Sequence, residues 1–259
     1  MFKQFFTLIL SLFLSLQISN AQRSSTLRVL TFNIYHGATM KGDFDLDLIA
    51  GIIKNFNPDI VALQEVDFKT NRSKKYDIAL ELAIRTGLTP TFGSSMAFDG
   101  GDYGNAILTR RSIISSQKVT LPVTKGNEPR SALTVTTTIA SGDTILFIST
   151  HLSHEDEQSR IEQVKRINEL IKQSRYPAIV AGDLNAMPES ESIQLMERVC
   201  SPSYKRSDPA PTYSSSKPQK KIDYVMSYPK NKWKLIERKT NCNSIASDHC
   251  AYFTILKLR

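Results

Sequence analysis

The sequence predicts a mixed α/β chain that contains a block of antiparallel strands. Two patterns predict this. Strands alternate with helices through the first third, and from Thr89 to Thr150 β-rich segments succeed one another with only turn residues between them. A third pattern bears on function: apolar strands end in carboxylates, amides and histidines, and strand ends are where α/β folds usually keep their sites.

The elements follow in chain order. "MFKQFFTLILSLFLSLQISNAQ" opens with Lys3, runs apolar from Phe5 to Leu16 and offers Ser19 and Ala21 as small cleavage-site residues. It reads as a signal peptide over residues 1–21. An uncleaved anchor is the rival reading, but the apolar run falls short of the roughly 20 residues that span a bilayer. With 259 residues and 41% apolar content, the remainder, residues 22–259, is long enough for one large core and is expected to form one catalytic domain.

"LRVLTFNI" is a strand, "DFDLDLIAGIIKNFN" an amphipathic helix, and "PDIVALQEV" a second buried strand. "SKKYDIALELAIRTG" is a further helix, capped by Ser73 and stopped by Gly87. The β-rich block comprises "PTFGSS", "GNAILTR", "SIISSQKVTL", "RSALTVTTTI" and "TILFISTHL". A charged helix over roughly 155–174, the strand in "IVAGDLNAMPES" and a short helix from about Ser190 come next. A Pro/Ser/Lys-rich loop over 201–219 precedes the final strands "KIDYVMS", "KWKLIER" and "CAYFTIL".

The formal charge of +8 falls to +7 without the leader, whose one charged residue is Lys3. Much of it lies in "KPQKKID" and "YPKNKWKLIERK", which suit either a polyanionic partner or plain solvated loops. Cys200, Cys242 and Cys250 permit at most one internal disulfide. Cys200 with Cys242 is the expected pair and three free thiols the alternative; no spacing suggests zinc.

In "AGDLN", Asp183 and Asn185 stand two apart, so in an extended chain they emerge on one side. Asn33, Glu65, Asn105, His151, Asp223 and the Asp248-His249 pair also sit at strand ends. Singly, each has an ordinary reading as a cap or turn residue. Together they supply oxygen ligands for a hard divalent cation and acid and base groups beside it.

The ordered motifs "LTFNI", "LQEVD", "YGNAIL", "THL", "GDLN", "KIDYV" and "SDH" resemble the endonuclease/exonuclease/phosphatase superfamily across nearly all of the chain after the leader. The resemblance implies a four-layer sandwich, two packed and mostly antiparallel β-sheets flanked by helices, with a metal-dependent phosphoesterase site at one edge. It implies that Glu65 is the principal magnesium ligand, assisted by Asn33 and Asp248, with manganese or calcium as alternative ions. Asp183 would orient or deprotonate water, Asn185 would donate to a phosphoryl oxygen, and Asp223 would support His249 across the phosphorus from His151. Asn105 and Arg130 would face the substrate phosphate, with an ordinary ion pair as the other reading of Arg130. Arg72 has weaker support, and His36 and His154 read as bystanders.

The implied activity is an exported phosphodiesterase, periplasmic or released, with nucleic acid the leading substrate. A lipid or small-molecule phosphoester is the alternative, and a non-catalytic binding module the remote one. "KIDYV" lacks the Cys-Asp-Arg run usual in inositol polyphosphate 5-phosphatases, and no aromatic hairpin of the sphingomyelinase kind is present. Equally, no basic stripe interleaved with aromatics marks a dedicated nucleic-acid binder. Nothing in the sequence points beyond a monomer.

Overall fold

The structure, a computed structural model, describes residues 25–259; the predicted leader lies outside the described residues. Two six-stranded mixed sheets face each other. The first is built from β1 (Thr26–Asn33), β2 (Ile60–Phe68), β3 (Thr89–Phe98), β4 (Gly101–Thr109), β11 (Trp233–Asn241) and β12 (Ala251–Leu258), in the order β11-β12-β1-β2-β4-β3. The second contains β5 (Ile113–Thr120), β6 (Ser131–Thr138), β7 (Thr144–His151), β8 (Ala178–Asp183), β9 (Ser201–Pro202) and β10 (Asp223–Tyr228), in the order β5-β6-β7-β8-β10-β9. Pairing is antiparallel except between β1 and β2 and between β7 and β8. Those two parallel pairs are joined by crossover helices, α1 (Leu46–Phe56) and α3 (Glu157–Gln173). With α2 (Ile78–Thr86) and α4 (Glu191–Val199), the helices supply the outer layers.

Strand alternation explains the layering. In β2, Val61 and Leu63 turn outward to a cluster with Ile49 and Ile53 of α1 and Leu82 of α2, while Ile60 and Ala62 turn inward between the sheets. In β8, Ile179 and Ala181 face inward, and Ala178 and Val180 face Val164, Ile167 and Ile171 of α3 and Met196 of α4. Three apolar clusters therefore fill the three interfaces of a four-layer α/β sandwich. A strand buried on both faces must be apolar throughout, and that is the run seen in "IVAL" and "AIVAG". No helix among the described residues is long and apolar enough to cross a membrane.

Local details differ from the sequence reading in two places. The α2 cap is Asp77, whose side chain accepts from Leu80 N at 3.0 Å. Ser73 instead lies buried in a turn, 2.8 Å from Thr70 Oγ1; Gly87 does end the helix, in left-handed backbone that glycine favours. The disulfide joins Cys242 to Cys250, not Cys200 to Cys242. Cys200 is free and fully buried in the α3/α4 cluster, packed as a small apolar side chain.

Candidate active site

Strand register assembles the site. His151 at the end of β7 pairs with Asp183 at the end of β8, and Asp183 pairs with Asp223 at the start of β10. One row across three strands thus carries a histidine and two carboxylates. Gly182 is what allows β8 to run so close to β7: a Cβ there would stand 1.9 Å from Thr150 O. From the other sheet come Asn33, ending β1, and Glu65. Glu65 occupies a β-bulge between Leu63 and Val66, at φ 55°. Asn185 is also left-handed, at φ 48°. Bulges and left-handed non-glycine residues re-aim side chains at a cost, a feature concentrated at functional sites.

Carboxylates occupy one side. Asn33 Nδ2 donates to Glu65 Oε1 at 3.0 Å and to Asp183 Oδ2 at 3.2 Å, so one amide spans both acids. Burial pushes the Glu65 carboxyl up, against that hydrogen bond. Burial likewise holds Asp183, 1% exposed, up to about 7, opposed by the charge of His249. Asp248 borders the same cavity. Asp223 lies behind His249, with its oxygens 3.0 and 3.1 Å from Nδ1. Burial disfavours the imidazolium, but the Asp223 and Asp183 carboxylates outweigh it and hold His249 up to about 10. Ligand atoms of Asp183, Asp223 and His249 lie within 4.8 Å of one another, forming a candidate metal site.

Donors occupy the other side. Arg130 is 3% exposed and stands 3.2 Å from His151 Nδ1, so it is no surface ion pair. It also meets His154 Nδ1 at 3.3 Å and Glu128 at 2.9 Å. Nε2 of His151 lies 2.9 Å from Asn185 Nδ2, which also donates to Leu152 O at 3.0 Å. A guanidinium only donates, so Nδ1 is the bare nitrogen; the Nε2 proton then faces Asp183 Oδ2 at 3.4 Å, and the Asn185 amide beside it is a second donor, not its hydrogen-bond partner. Burial, reinforced by Arg130, keeps His151 well below its ordinary value and therefore neutral. Arg130, His151 and Asn185 together present more donors than they find acceptors.

The structure does not bring every predicted residue to the surface of this site. Asn105 is 1% exposed, does not line the cavity and spends Nδ2 on Ser131 O at 3.0 Å, linking the two sheets instead of meeting a phosphate. Arg72 is held by Asp67 through two hydrogen bonds of 2.7 and 2.8 Å. His36 lies in a separate surface hollow, whereas His154, read as a bystander, borders the active cavity beside Arg130. The cavity, about 620 Å³, is also walled by Tyr103, Glu128, Met187, Tyr213 and Lys220, none of which the sequence reading singled out. Ser247 was missed too. Its hydroxyl donates to Asn33 O at 2.7 Å and accepts from His249 N at 3.0 Å, tying the β11–β12 connection that carries His249 to the end of β1 in the same sheet. The serine in "SDH" was the available signal.

Comparison of the sequence with curated proteins finds no match. Among solved structures, the chain is similar to an endonuclease/exonuclease/phosphatase from Beutenbergia cavernae, at 21% identity and TM-score 0.74, covering 90% of this chain and 72% of that one. It is similar to a functionally unknown conserved protein from Enterococcus faecalis, at 21% identity and TM-score 0.75, covering 90% and 100%. A mannosyl-6-phosphatase from Bacteroides thetaiotaomicron aligns at 19% identity and TM-score 0.70, covering 89% and 99%. Such identities show a shared fold. The family model for the endonuclease/exonuclease/phosphatase family matches residues 30–249, from β1 through the Asp248-His249 pair, and the chain belongs to that family of phosphoester hydrolases.

Proposed function

We propose that this protein is an exported, divalent-cation-dependent phosphodiesterase, with nucleic acid its leading substrate. The observation that carries the reading is the division of the cavity into a carboxylate side and a donor side. Glu65, Asp183, Asp223 and Asp248 gather around one imidazolium, and burial raises Glu65 and Asp183, carboxyls that a cation would let ionise. Oxygen ligands suit magnesium, which is commonly held by one or two carboxylates with water. His249 is committed to Asp223 and Asp183 is kept for the attacking water, so Glu65 and Asp248, with Asn33 beside Glu65, are the residues that would hold the ion. When bound, the cation polarises the phosphoryl group and neutralises its charge.

The chain's own residues supply the rest. A phosphoryl oxygen between Arg130, His151 and Asn185 is the acceptor that those donors lack. Asp183, its carboxyl lifted towards neutrality by burial, takes the proton of the attacking water. As the P–O bond to the leaving group breaks, His249, kept charged by Asp223, gives its Nε2 proton to the leaving oxygen, and the Nε2 proton of His151 stabilises the charge that grows on the phosphoryl oxygens. Export is supported by the predicted leader and by a disulfide, which persists in oxidising compartments.

The test uses the chain from Gln22 onward with magnesium against plasmid DNA, RNA, sphingomyelin and bis-p-nitrophenyl phosphate, with His249→Ala as control. Plasmid cleavage abolished by EDTA and by the substitution is the expected result. Turnover confined to the lipid or the small ester removes nucleic acid from the reading. Absence of magnesium-dependent turnover on every substrate overturns the enzyme assignment.

A further inference from the structure

The lysine run "KPQKK" suits a polyanionic partner or plain solvation, and its place in the fold decides between them. Residues 213–220 form a hairpin: Tyr213 N donates to Lys220 O at 3.0 Å, and Lys220 N to Tyr213 O at 2.9 Å. The hairpin is strapped to the segment that carries Asp248 and His249. Ser215 N donates to Asp248 O at 2.6 Å, Ser215 Oγ to Ser247 O at 2.6 Å, and Cys250 N to Thr212 O at 2.7 Å. Lys221 turns inward, 2% exposed, with Nζ 3.1 Å from the centre of the Tyr252 ring. Lys220, one residue earlier, turns out and lines the cavity.

Two polar groups of this hairpin face the cavity without a hydrogen-bond or carboxylate partner among the described residues. The Tyr213 ring stands half-buried at the cavity wall, 5.0 Å from the His249 ring, and its hydroxyl makes no hydrogen bond among the described residues. The Lys220 ammonium lies 6.0 Å from the centre of that ring and has no carboxylate partner among the described residues. The other cations of the wall are engaged: Arg130 with His151, His154 and Glu128, and Arg160 with Glu157 and the carbonyls of Ser153 and His154. An aromatic ring held at the wall, with an exposed ammonium over it 6.0 Å from its centre and no carboxylate beside that ammonium among the described residues, matches a flat ring joined to a further anion.

We propose that Tyr213 and Lys220 form a subsite for the nucleoside next to the scissile phosphate, the ring against Tyr213 and the neighbouring phosphate at Lys220. The proposal rests on the phosphodiesterase reading and makes the substrate class oligonucleotides, rather than esters of choline, whose cationic group would meet Lys220. Stacking on an aromatic face is sequence-tolerant, so cleavage without strong base preference follows.

Three substrates with one leaving group test it: methyl p-nitrophenyl phosphate, thymidine 5′-(p-nitrophenyl phosphate), and the latter carrying a 3′-phosphate. In the unsubstituted protein KM should fall about tenfold from the methyl to the thymidine ester, a low value for one stacked base, and again with the 3′-phosphate. Tyr213→Ala should erase the first step, with Tyr213→Phe retaining it. Lys220→Gln should erase the second step, while Lys217→Gln, the same charge change on the exposed part of the hairpin, should retain it. Equal KM values across the three esters, or steps indifferent to Tyr213→Ala and Lys220→Gln, overturn the subsite while leaving the phosphodiesterase reading intact. Should neither these esters nor plasmid DNA nor RNA turn over, the phosphodiesterase reading fails; calorimetric binding of thymidine 3′,5′-bisphosphate, expected to weaken about tenfold in Lys220→Gln, judges the subsite separately, and unchanged binding overturns it.

Discussion

Replacing both Cys242 and Cys250 by serine should destabilise the protein and loosen its catalytic loop in a measurable proportion. Asn241 of β11 faces Ala251 of β12, so Cys242 and Cys250 are the next pair along the ladder, with Cα atoms 4.2 Å apart. The disulfide staples the end of that hairpin, and the short loop that it closes ends in Asp248 and His249. With a sequence separation of 8, the chain-entropy expression for loop closure gives about 2.5 kcal/mol at 25 °C. For a chain of this size that corresponds to a fall in Tm of about 5–10 °C.

The loop keeps other restraints, since Ser215 N holds Asp248 O and Ser247 Oγ holds Asn33 O. The Asp248 and His249 side chains should therefore shift rather than detach, and kcat should drop by on the order of ten, within the hundredfold that a misplacement of about 1 Å can cost. The assay pairs urea unfolding with kcat on bis-p-nitrophenyl phosphate, for the oxidised protein, the protein reduced with dithiothreitol, and the double serine variant. An unfolding free energy within about 0.5 kcal/mol of the oxidised value, too small for loop closure, would refute the entropic reasoning. A destabilised protein with unaltered kcat would show that the hydrogen bonds alone position His249.

Three further outcomes are expected. Asp223→Asn removes the charge that keeps His249 protonated, so activity should fall by about 10²–10⁴, and the basic limb of the kcat/KM profile should move to lower pH; an unmoved limb assigns it to another group. Because burial raises both Glu65 and Asp183, protons compete with the cation, so magnesium should bind more weakly as pH falls through about 7. Calorimetry in buffers of differing ionisation enthalpy should register proton release near pH 6 and little at pH 9. Finally, burial holds Lys221 well below its ordinary 10.5 and its amine has no hydrogen-bond partner among the described residues. A depressed lysine binds fewer protons folded than unfolded, so its contribution to stability is present above 10.5 and is lost as pH falls towards the depressed value. Lys221→Met should lack that slope and gain about 1–3 kcal/mol at pH 7, read by urea unfolding at pH 7 and pH 9.

Much of the fold was legible because burial on both faces leaves a simple mark. Strands covered by helices on one side and by the other sheet on the opposite side must be apolar at every position, and "IVAL" and "AIVAG" are. The caps were less legible. Between Ser73 and Asp77 composition offers two good candidates, and what separates them is tertiary: Ser73 is buried against Thr70, whereas Asp77 reaches Leu80 N. The disulfide was misassigned for a related reason. Cys200 lies in a polar-looking stretch yet packs beneath α3 and α4, while Cys242 and Cys250 flank two strands whose antiparallel register sets them face to face.

The site divides along the same line. Groups that emerge from strand ends, Asn33, Glu65, His151, Asp183, Asp223 and His249, were visible because a polar residue at the end of an apolar run is locally conspicuous. Asn105 is conspicuous in the same way and serves a different end, since its amide closes on Ser131 across the sandwich. Local pattern shows that a side chain leaves the core and is silent on what receives it. Arg130, Ser247 and Tyr213 act through partners far along the chain: Arg130 through His151, Ser247 through Asn33, and Tyr213 beside His249. Arg130, which the sequence offered with an ion pair as its other reading, and Ser247 and Tyr213, which it did not single out, each bear on a residue at a strand end. Arg130 sets the tautomer of His151, Ser247 fixes the backbone that carries His249, and Tyr213 walls the space in front of it. Motifs thus name the candidate groups for the chemistry, whereas long-range packing determines which proton each one holds and what it can face.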